Sequence, residues 1–496
     1  MNSSVGLSKI ADATSSHVPA PEATAPRPGP RRGARVHFRI ATVLFEVVAD
    51  LLTITLAVTL AYFIYDSFRL GKHLYYPTST VMVLAFVFAI GMVSMLDRVG
   101  AYRQGNSLLR VRETEQVLRV STQAFLIALA VSFFTSILFS RWLLVLCLGL
   151  VPLLLFAQKS LTYMLLRFFH ARGYGNEGVL IYGSGCTGRR VFSVLQRSPR
   201  LGLEPLAFVD DDPAKTGNTI YEMAYERRRS APVVRGPVTR ELVTKYGADL
   251  VLIAIPSIGR ERFAHTLEEA FSANARVSFV PSHLLATDPW VDYQDIDGVL
   301  LASFGRPARR TAYEAVKRIC DVLGSLILIL LGTPVFLLLA LAIKIDSRGP
   351  VLFRQERVGL NGKLFRMFKF RTMHPNSQSY EYSPQASDDP RITRLGKFLR
   401  QTSLDEVPQL LNVLQGQMSL VGPRPEMPFI VEQYTERHRQ RLQVRPGLTG
   451  LWQLSGDRAF LIHENVEYDL YYIQHRSFFM DVAILLHTII FAARGI

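Results

Sequence analysis

Two adjacent carboxylates, Asp405 and Glu406, stand in TSLDEVPQLLNVL directly before an apolar stretch with helical spacing. Ser403 with Glu406 three residues on is a capping-box pattern, so helix capping is one reading of the pair. The other reading is chemical. A carboxylate near a helix N-terminus is favoured in its ionised form by the dipole and the free amides. Ionised Asp405 could attack phosphorus to give an acyl phosphate, or hold Mg²⁺ together with substrate phosphates. Pro408 leaves the start of the helix open. Cations follow. Arg424 lies between two prolines in SLVGPRPEMP, where a fixed backbone pre-orders a guanidinium for bidentate phosphate contacts. Arg445 repeats the idea in RPGLTGLWQLSG, and Lys369 and Arg371 stand in KFRTM. Each alone also reads as a solvated surface cation. Together they supply a nucleophile, a metal ligand and positive charge for diphosphate transfer.

Elements must hold these groups, and the bulk sequence says which kind. The chain has 496 residues, room for about three domains of ~150 residues. It is 49% hydrophobic and 20% charged, with a mean hydropathy of +0.18, which excludes an ordinary soluble protein and points to membrane segments. The net charge is +15. Beside apolar runs, that balance favours a membrane surface and phosphate-bearing ligands, with no nucleic acid partner. Cys147, Cys186 and Cys320 are far apart and form no disulfide or zinc pattern, so the soluble parts read as cytosolic. Residues 1–37, rich in Ser, Ala, Pro, Gly and Arg, read as a disordered basic tail without a signal-peptide pattern.

Residues 38–170 hold four apolar runs, at 40–65, 80–96, 122–140 and 142–166, each near the ~20 residues a spanning helix needs. Arginines at 31, 32, 35 and 39, at 98, 103, 110, 112 and 119, and at 167 and 172 place both ends of this unit in the cytosol by the positive-inside rule. Glu46 and Asp50, one turn apart in the first run, read as a polar helix–helix contact ahead of an ion path. Residues 171–304 read as a Rossmann-like α/β domain. GVLIYGSGCTG runs a strand into Gly183, Gly185 and Gly188, and LAFVDDD ends a second strand at Asp210, where a ribose-binding carboxylate belongs. A lone glycine motif is weak evidence, so nucleotide binding and a scaffolding or dimerising role stay open together.

Residues 305–496 carry the chemistry, and they begin with a different kind of apolar run, 319–345, the body of an expected membrane helix 317–345. Gly332-Thr333-Pro334 interrupts it, and a kink or break is expected there. The halves hold 13 and 11 residues, about 16–20 Å each, too short to span alone. Basic flanks on both sides suit a re-entrant helix that enters and leaves on the cytosolic face; a fifth spanning helix is the alternative. KLFRMFKFRTM reads as a strand, RITRLGKFLRQ as a basic amphipathic helix, and SFFMDVAILLHTIIFAA, with Asp481 and His487, as an interfacial or core-packed helix.

KRICD before a broken apolar run, then GKLFRMFKFRTM, DDPRITRLGKFLRQTSLDEVPQLLNVL, MSLVGPRPE and RPGLTGLWQLSG, together resemble the bacterial sugar transferases, the monotopic phosphoglycosyl transferases. The match covers about 306–496, and the four-helix and Rossmann-like regions resemble the large members that prime exopolysaccharide or O-antigen synthesis. The resemblance implies a mainly α-helical monotopic catalytic domain on the cytosolic face of the bacterial inner membrane. It implies transfer of a hexose 1-phosphate, glucose or galactose, from a UDP-sugar to undecaprenyl phosphate, with UMP released through an aspartyl-phosphosugar intermediate. Asp405 matches the nucleophile, Glu406 its partner, and Arg424 a phosphate contact, with Mg²⁺ at Asp405. Lys317, Arg318 and Asp321 match the entry to the re-entrant helix. Thr333-Pro334 stands where the family often has Ser-Pro, and threonine can make the same hydroxyl-to-backbone bond. Membrane lipid and a second copy of the chain are the further partners implied. Two rivals come from other classes. One is a membrane-bound NAD(P)-dependent nucleotide-sugar dehydratase or epimerase, for which Tyr313 and Lys317 form the one pair considered. The other is a non-enzymatic membrane assembly protein.

Overall fold

The computed structural model describes residues 32–70, 76–102, 110–134, 140–172, 174–197, 202–224, 227–255, 257–280, 290–296, 299–305, 311–374, 389–454 and 466–493. The chain divides into two compact units. One holds the described residues of 169–280 with 32–37, and the other holds the described residues of 38–168 with those from 290 to 493.

The larger unit begins with α1 (Arg32–Ser67), α2 (Thr78–Arg98), α3 (Arg110–Phe134) and α4 (Arg141–Ala171). Their apolar composition leaves large side chains such as Leu52, Leu56, Met82 and Phe133 outward, as a lipid-facing bundle requires. Inside, Ala57 and Ala89 are fully buried with Ile54, Met92, Val120 and Leu155, small residues letting the helices approach. Asp50 accepts hydrogen bonds from Lys159 at 2.7 Å and from the Tyr102 hydroxyl at 2.8 Å, a polar contact between α1, α4 and the segment after α2. The third helix departs from its expected position at 122–140. It begins twelve residues earlier, because polar turns before the apolar run pack against protein; residues 135–139 lie outside the described residues.

The smaller unit is a doubly wound α/β domain. Its strands are β1 (Glu177–Tyr182), β2 (Leu203–Asp210), β3 (Thr219–Ala224), β4 (Arg227–Arg235), β5 (Leu250–Ile253) and β6 (Arg276–Phe279). They form one sheet in the order β3-β4-β2-β1-β5-β6, parallel except for the β3 edge. Helices α5 (Cys186–Arg197), α6 (Arg240–Tyr246) and α7 (Arg260–Ser272) connect them. Continuous apolar strands such as VLIY, buried on both faces, are what a parallel sheet demands.

The larger unit resumes with a hairpin of β7 (Trp290–Ile296) and β8 (Val299–Gly305), then α8 (Thr311–Asp346). Helix α8, where a kink or a break is expected, shows no break. It is one helical element with Pro334 inside, and the Thr333 hydroxyl donates to the Ile329 carbonyl at 2.6 Å beside the proline. Antiparallel β9 (Leu352–Val358) and β10 (Leu364–Phe370) follow, then α9 (Arg394–Gln401) and a 3₁₀ turn, Leu404–Gln409, leading into α10 (Leu410–Leu414). Short parallel strands β11 (Ser419–Val421) and β12 (Gly447–Thr449) precede α11 (Val466–His475) and α12 (Phe478–Ala493).

Helix α12 is core-packed, as its length and composition suggest. Met480, Ala483 and Ile484 are buried with Val413, Met418, Leu420 and Tyr472, and Val111 of α3 joins the same cluster. By length and composition, five described helices could cross a membrane, α1 to α4 and α8; α12 is too short to count among them.

Candidate functional site

The dyad sits on the 3₁₀ turn Leu404–Gln409, which packs along β10. The chain enters it through Ser403, whose φ of 56° is left-handed, a conformation that costs a serine about 1 kcal/mol. This geometry overturns the capping box: Ser403 makes no side-chain cap. Glu406 serves the site, not the helix end. Its Oε1 accepts from Lys369 Nζ at 2.7 Å and from Arg424 Nη2 at 2.6 Å, and Oε2 accepts from Arg424 Nη1 at 3.3 Å. Burial works to raise the Glu406 carboxyl, but Arg424 and Lys369 hold it well below the usual carboxylate range.

Asp405 is different. It is 8% exposed and makes no hydrogen bond or ion pair among the described residues. Burial pushes its carboxyl upward and the Glu406 charge adds to that, while Lys369, Arg424 and Arg400 pull it back. Desolvation therefore wins over the helix-end effect expected from sequence. The pair has divided its work: one carboxylate saturated by two cations, the other buried and unengaged.

Arg424 is held from behind. Arg441 Nη2 donates to its carbonyl at 3.0 Å, and Arg441 is itself fixed by Asp469 at 2.7 Å and by the Tyr434 hydroxyl. Arg441 and Asp469 are 3% and 2% exposed, a desolvated pair that would be costly to break from one side. Gly422 and Gly447 let the two loops touch through backbone: a Cβ on Gly447 would lie 2.1 Å from Gly422 N. Sequence reasoning missed Arg441 and Asp469, which lie outside the recognised motifs.

The other candidate cations separate. Lys369 reaches the dyad. Arg371 is buried and donates Nη2 to the Ser347 carbonyl at 2.6 Å and to its hydroxyl at 2.8 Å, tying β10 to the end of α8. Arg445 donates to the Gly416 carbonyl at 3.2 Å. Arg400, read from sequence only as part of a membrane-surface helix, is instead a neighbour of the dyad: its Nε donates to Thr372 Oγ1 at 3.0 Å and its charge acts on Asp405. Its place five residues before Asp405 on an amphipathic helix was the available signal.

The start of α8 is bolted to the same domain. Lys317 and Tyr313 both donate to Asp481 Oδ2, at 2.9 and 2.8 Å, and Tyr472 donates to Oδ1 at 2.8 Å. Arg318 donates to the carbonyls of Val413 and Leu414, at 2.6 and 2.9 Å, satisfying the C-terminal end of α10. Asp321 accepts the Leu420 N–H at 3.0 Å. Tyr313 and Lys317 thus share a carboxylate of α12, not a place in the α/β domain.

In that domain, Gly183 has φ +107° and a Cβ on Gly188 would lie 1.9 Å from the Gly183 carbonyl, so both glycines serve the tight turn and the close helix. Asp210 accepts from Ser184 N at 2.8 Å and Ser184 Oγ at 2.6 Å, placing its carboxylate on the glycine turn. Burial acts to raise it, but Ser184, Asp212 and Lys215 keep it below its ordinary value. Gly185 has open space where a Cβ would stand.

Comparison with known proteins gives two family matches. The family described as bacterial sugar transferase matches residues 312–495, and the CoA-binding domain family matches 97–281. The chain is 29% identical to an uncharacterized sugar transferase of Haemophilus influenzae over 88% of this chain and 95% of that one. It is 28% identical to a UDP-glucose:undecaprenyl-phosphate glucose-1-phosphate transferase of Klebsiella pneumoniae, over 90% and 94%. It is 30% identical to an undecaprenyl-phosphate galactose phosphotransferase of Salmonella typhimurium, over 76% and 80%.

Proposed function

The chain belongs to the bacterial sugar transferase family, and on that premise we propose that it moves a hexose 1-phosphate, of glucose or galactose, from a UDP-sugar to undecaprenyl phosphate. The observation that carries the mechanism is the buried, unengaged Asp405 beside a Glu406 neutralised by Lys369 and Arg424. An Asp405 oxygen attacks the β-phosphorus. The bond from that phosphorus to the bridging oxygen breaks, UMP leaves with the electron pair, and an aspartyl phosphosugar remains. An oxygen of the lipid phosphate then attacks the same phosphorus, and Asp405 departs as carboxylate. Arg400 and the Lys369–Arg424 pair stand where negative charge gathers.

Among the described residues no cluster of three or more metal-binding side chains converges. Both Glu406 oxygens are engaged by cations, so the carboxylate of the dyad left for a metal is Asp405. That fits Mg²⁺, which takes one or two carboxylates and completes its shell with substrate phosphates and water. Bound there, the ion would supply charge neutralisation on the diphosphate.

We also propose that α8 is re-entrant, with the catalytic domain on the cytosolic face of the inner membrane. Both ends of α8 support this by docking on one domain: Arg318 and Asp321 at its start, Ile343 with Phe370 and Leu399 at its finish. Between them Ile327, Leu331, Leu337 and Leu338 are exposed, as a lipid-immersed stretch would be.

Incubating the purified protein with radiolabelled UDP-glucose or UDP-galactose and undecaprenyl phosphate tests the transfer. UMP and a lipid-linked diphosphosugar are expected; UDP as the nucleotide product would mean ordinary glycosyl transfer.

A further inference from the structure

Among the described residues, strand β10 has β9 on one edge and no strand on the other. Backbone groups at such an edge need partners. Asn412 supplies them. Its Oδ1 accepts the Phe368 N–H at 3.0 Å, and its Nδ2 donates to the Arg366 carbonyl at 2.7 Å. These two groups, two residues apart, face the same way, so the amide completes the edge as a peptide unit of a third strand would. The second Nδ2 hydrogen goes to Gln417 Oε1 at 2.7 Å, which fixes which way the amide faces. Asn412 is fully buried, and its donors and acceptor are satisfied.

The edge bond joins two pieces of the site. Asn412 stands on α10, two turns after Asp405 and Glu406 on the same continuous segment. Phe368 is the neighbour of Lys369, whose Nζ meets Glu406 at 2.7 Å. We propose that Asn412 is a positioning residue: its amide sets the register of the dyad-bearing segment against β10, and so holds Lys369 on Glu406. It touches neither substrate nor the reacting atoms. A one-residue slip of the dyad-bearing segment along β10 would set it against Phe368 or Phe370, whose side chains alternate to the opposite face from Lys369. The inference rests on the transfer reading and adds a residue to it.

The test uses the full-length protein and single-turnover release of UMP from radiolabelled UDP-sugar, with KM measured alongside. Asn412→Leu is expected to slow UMP release by about 10- to 100-fold, the scale of an ångström-sized misplacement. KM for the UDP-sugar is expected to change by less than about twofold, the scatter of unrelated effects. In a Lys369→Met background, Asn412→Leu is expected to add less than about twofold, because the contact it supports is gone. Val413→Ala, a core truncation on the same helix, should lower thermal stability while leaving the rate within about twofold. An unchanged rate in Asn412→Leu, or losses that multiply independently of Lys369, would overturn the proposal. If Asn412→Leu shows no cooperative unfolding, Gln417→Leu takes its place, with a smaller loss in the same direction; an unchanged rate there is equally fatal. A wild-type protein that releases no UMP removes the transfer reading and this inference with it. UMP release by the wild type, matched by the variants, removes this inference alone.

Discussion

Asp405 carries opposite consequences for activity and for stability. Burial raises its folded-state pKa, so it favours folding in its protonated form, below the ordinary carboxylate range, and that advantage is lost as pH rises through the raised value. At neutral pH its charge costs stability. Asp405→Asn is therefore expected to abolish UMP release and the covalent phosphosugar while leaving Tm unchanged or higher, checked by mass spectrometry of the labelled protein and by thermal melts. Glu406 has the opposite sign. Its depressed pKa gives stability that is present above the ordinary carboxylate value and lost as pH falls through the depressed one. Glu406→Gln takes from Lys369 and Arg424 the carboxylate they are bonded to, leaving Asp405 as the adjacent countercharge, and a loss of about 3 kcal/mol is expected in denaturant unfolding at neutral pH. That gap should narrow in strong acid. The identities of Asp405, Glu406, Lys369 and Arg424 were legible because motif order marks them. Their division of work was not, since it depends on which carboxylate the cations reach in space. Arg371 shows the same limit: nothing in KFRTM says that its guanidinium ends on Ser347.

At the scale of elements, α12 explains two polar residues that stood out in its apolar sequence. Asp481 receives Lys317 and Tyr313 of α8, and His487 Nε2 lies 2.9 Å from Thr114 Oγ1 of α3. The Phe156 ring of α4 meets His487 edge-on, with centroids 5.6 Å apart. Asp481→Asn takes away the carboxylate to which Lys317 and Tyr313 donate and leaves Asp321 as the nearby countercharge of Lys317, and a loss of about 3 kcal/mol is expected in the unfolding of detergent-solubilised protein. The re-entrant reading of α8 has its own check. In a protein with Cys147, Cys186 and Cys320 replaced, Gln433→Cys should react with a membrane-impermeant thiol reagent only after the membrane is opened. Labelling from the outside of intact cells would mean that α8 crosses. Helix type and approximate position were readable for α8, α9 and α12 from apolar spacing. The continuity of α8 was not, because a proline marks a missing donor without saying whether neighbouring turns absorb it.

At the scale of the whole molecule, the chain grouped its parts differently from its order. The glycine turn and alternating strands announced the α/β domain correctly. The contact of α3 with the catalytic core left no such mark, because an arginine-rich stretch before an apolar run reads first as a topology signal. Here Arg112 donates to the Tyr471 hydroxyl at 3.1 Å, and Glu115 accepts from Ser477 at 2.9 Å. Val111→Asp is expected to destabilise the catalytic domain although it lies on a membrane helix, seen as faster hydrogen exchange in α11 and α12. Exchange unchanged in those helices would show that the contact is not structural.

The shared core of Val111 and α12 also sets a schedule for synthesis. Val111 is made early, yet its partners on α12 follow more than 360 residues later. At about 5–20 residues per second, the ribosome delivers them some tens of seconds after the bundle can insert. For that interval the bundle waits with an uncovered apolar notch at the start of α3. The notch closes only when the newly made helix arrives to fill it.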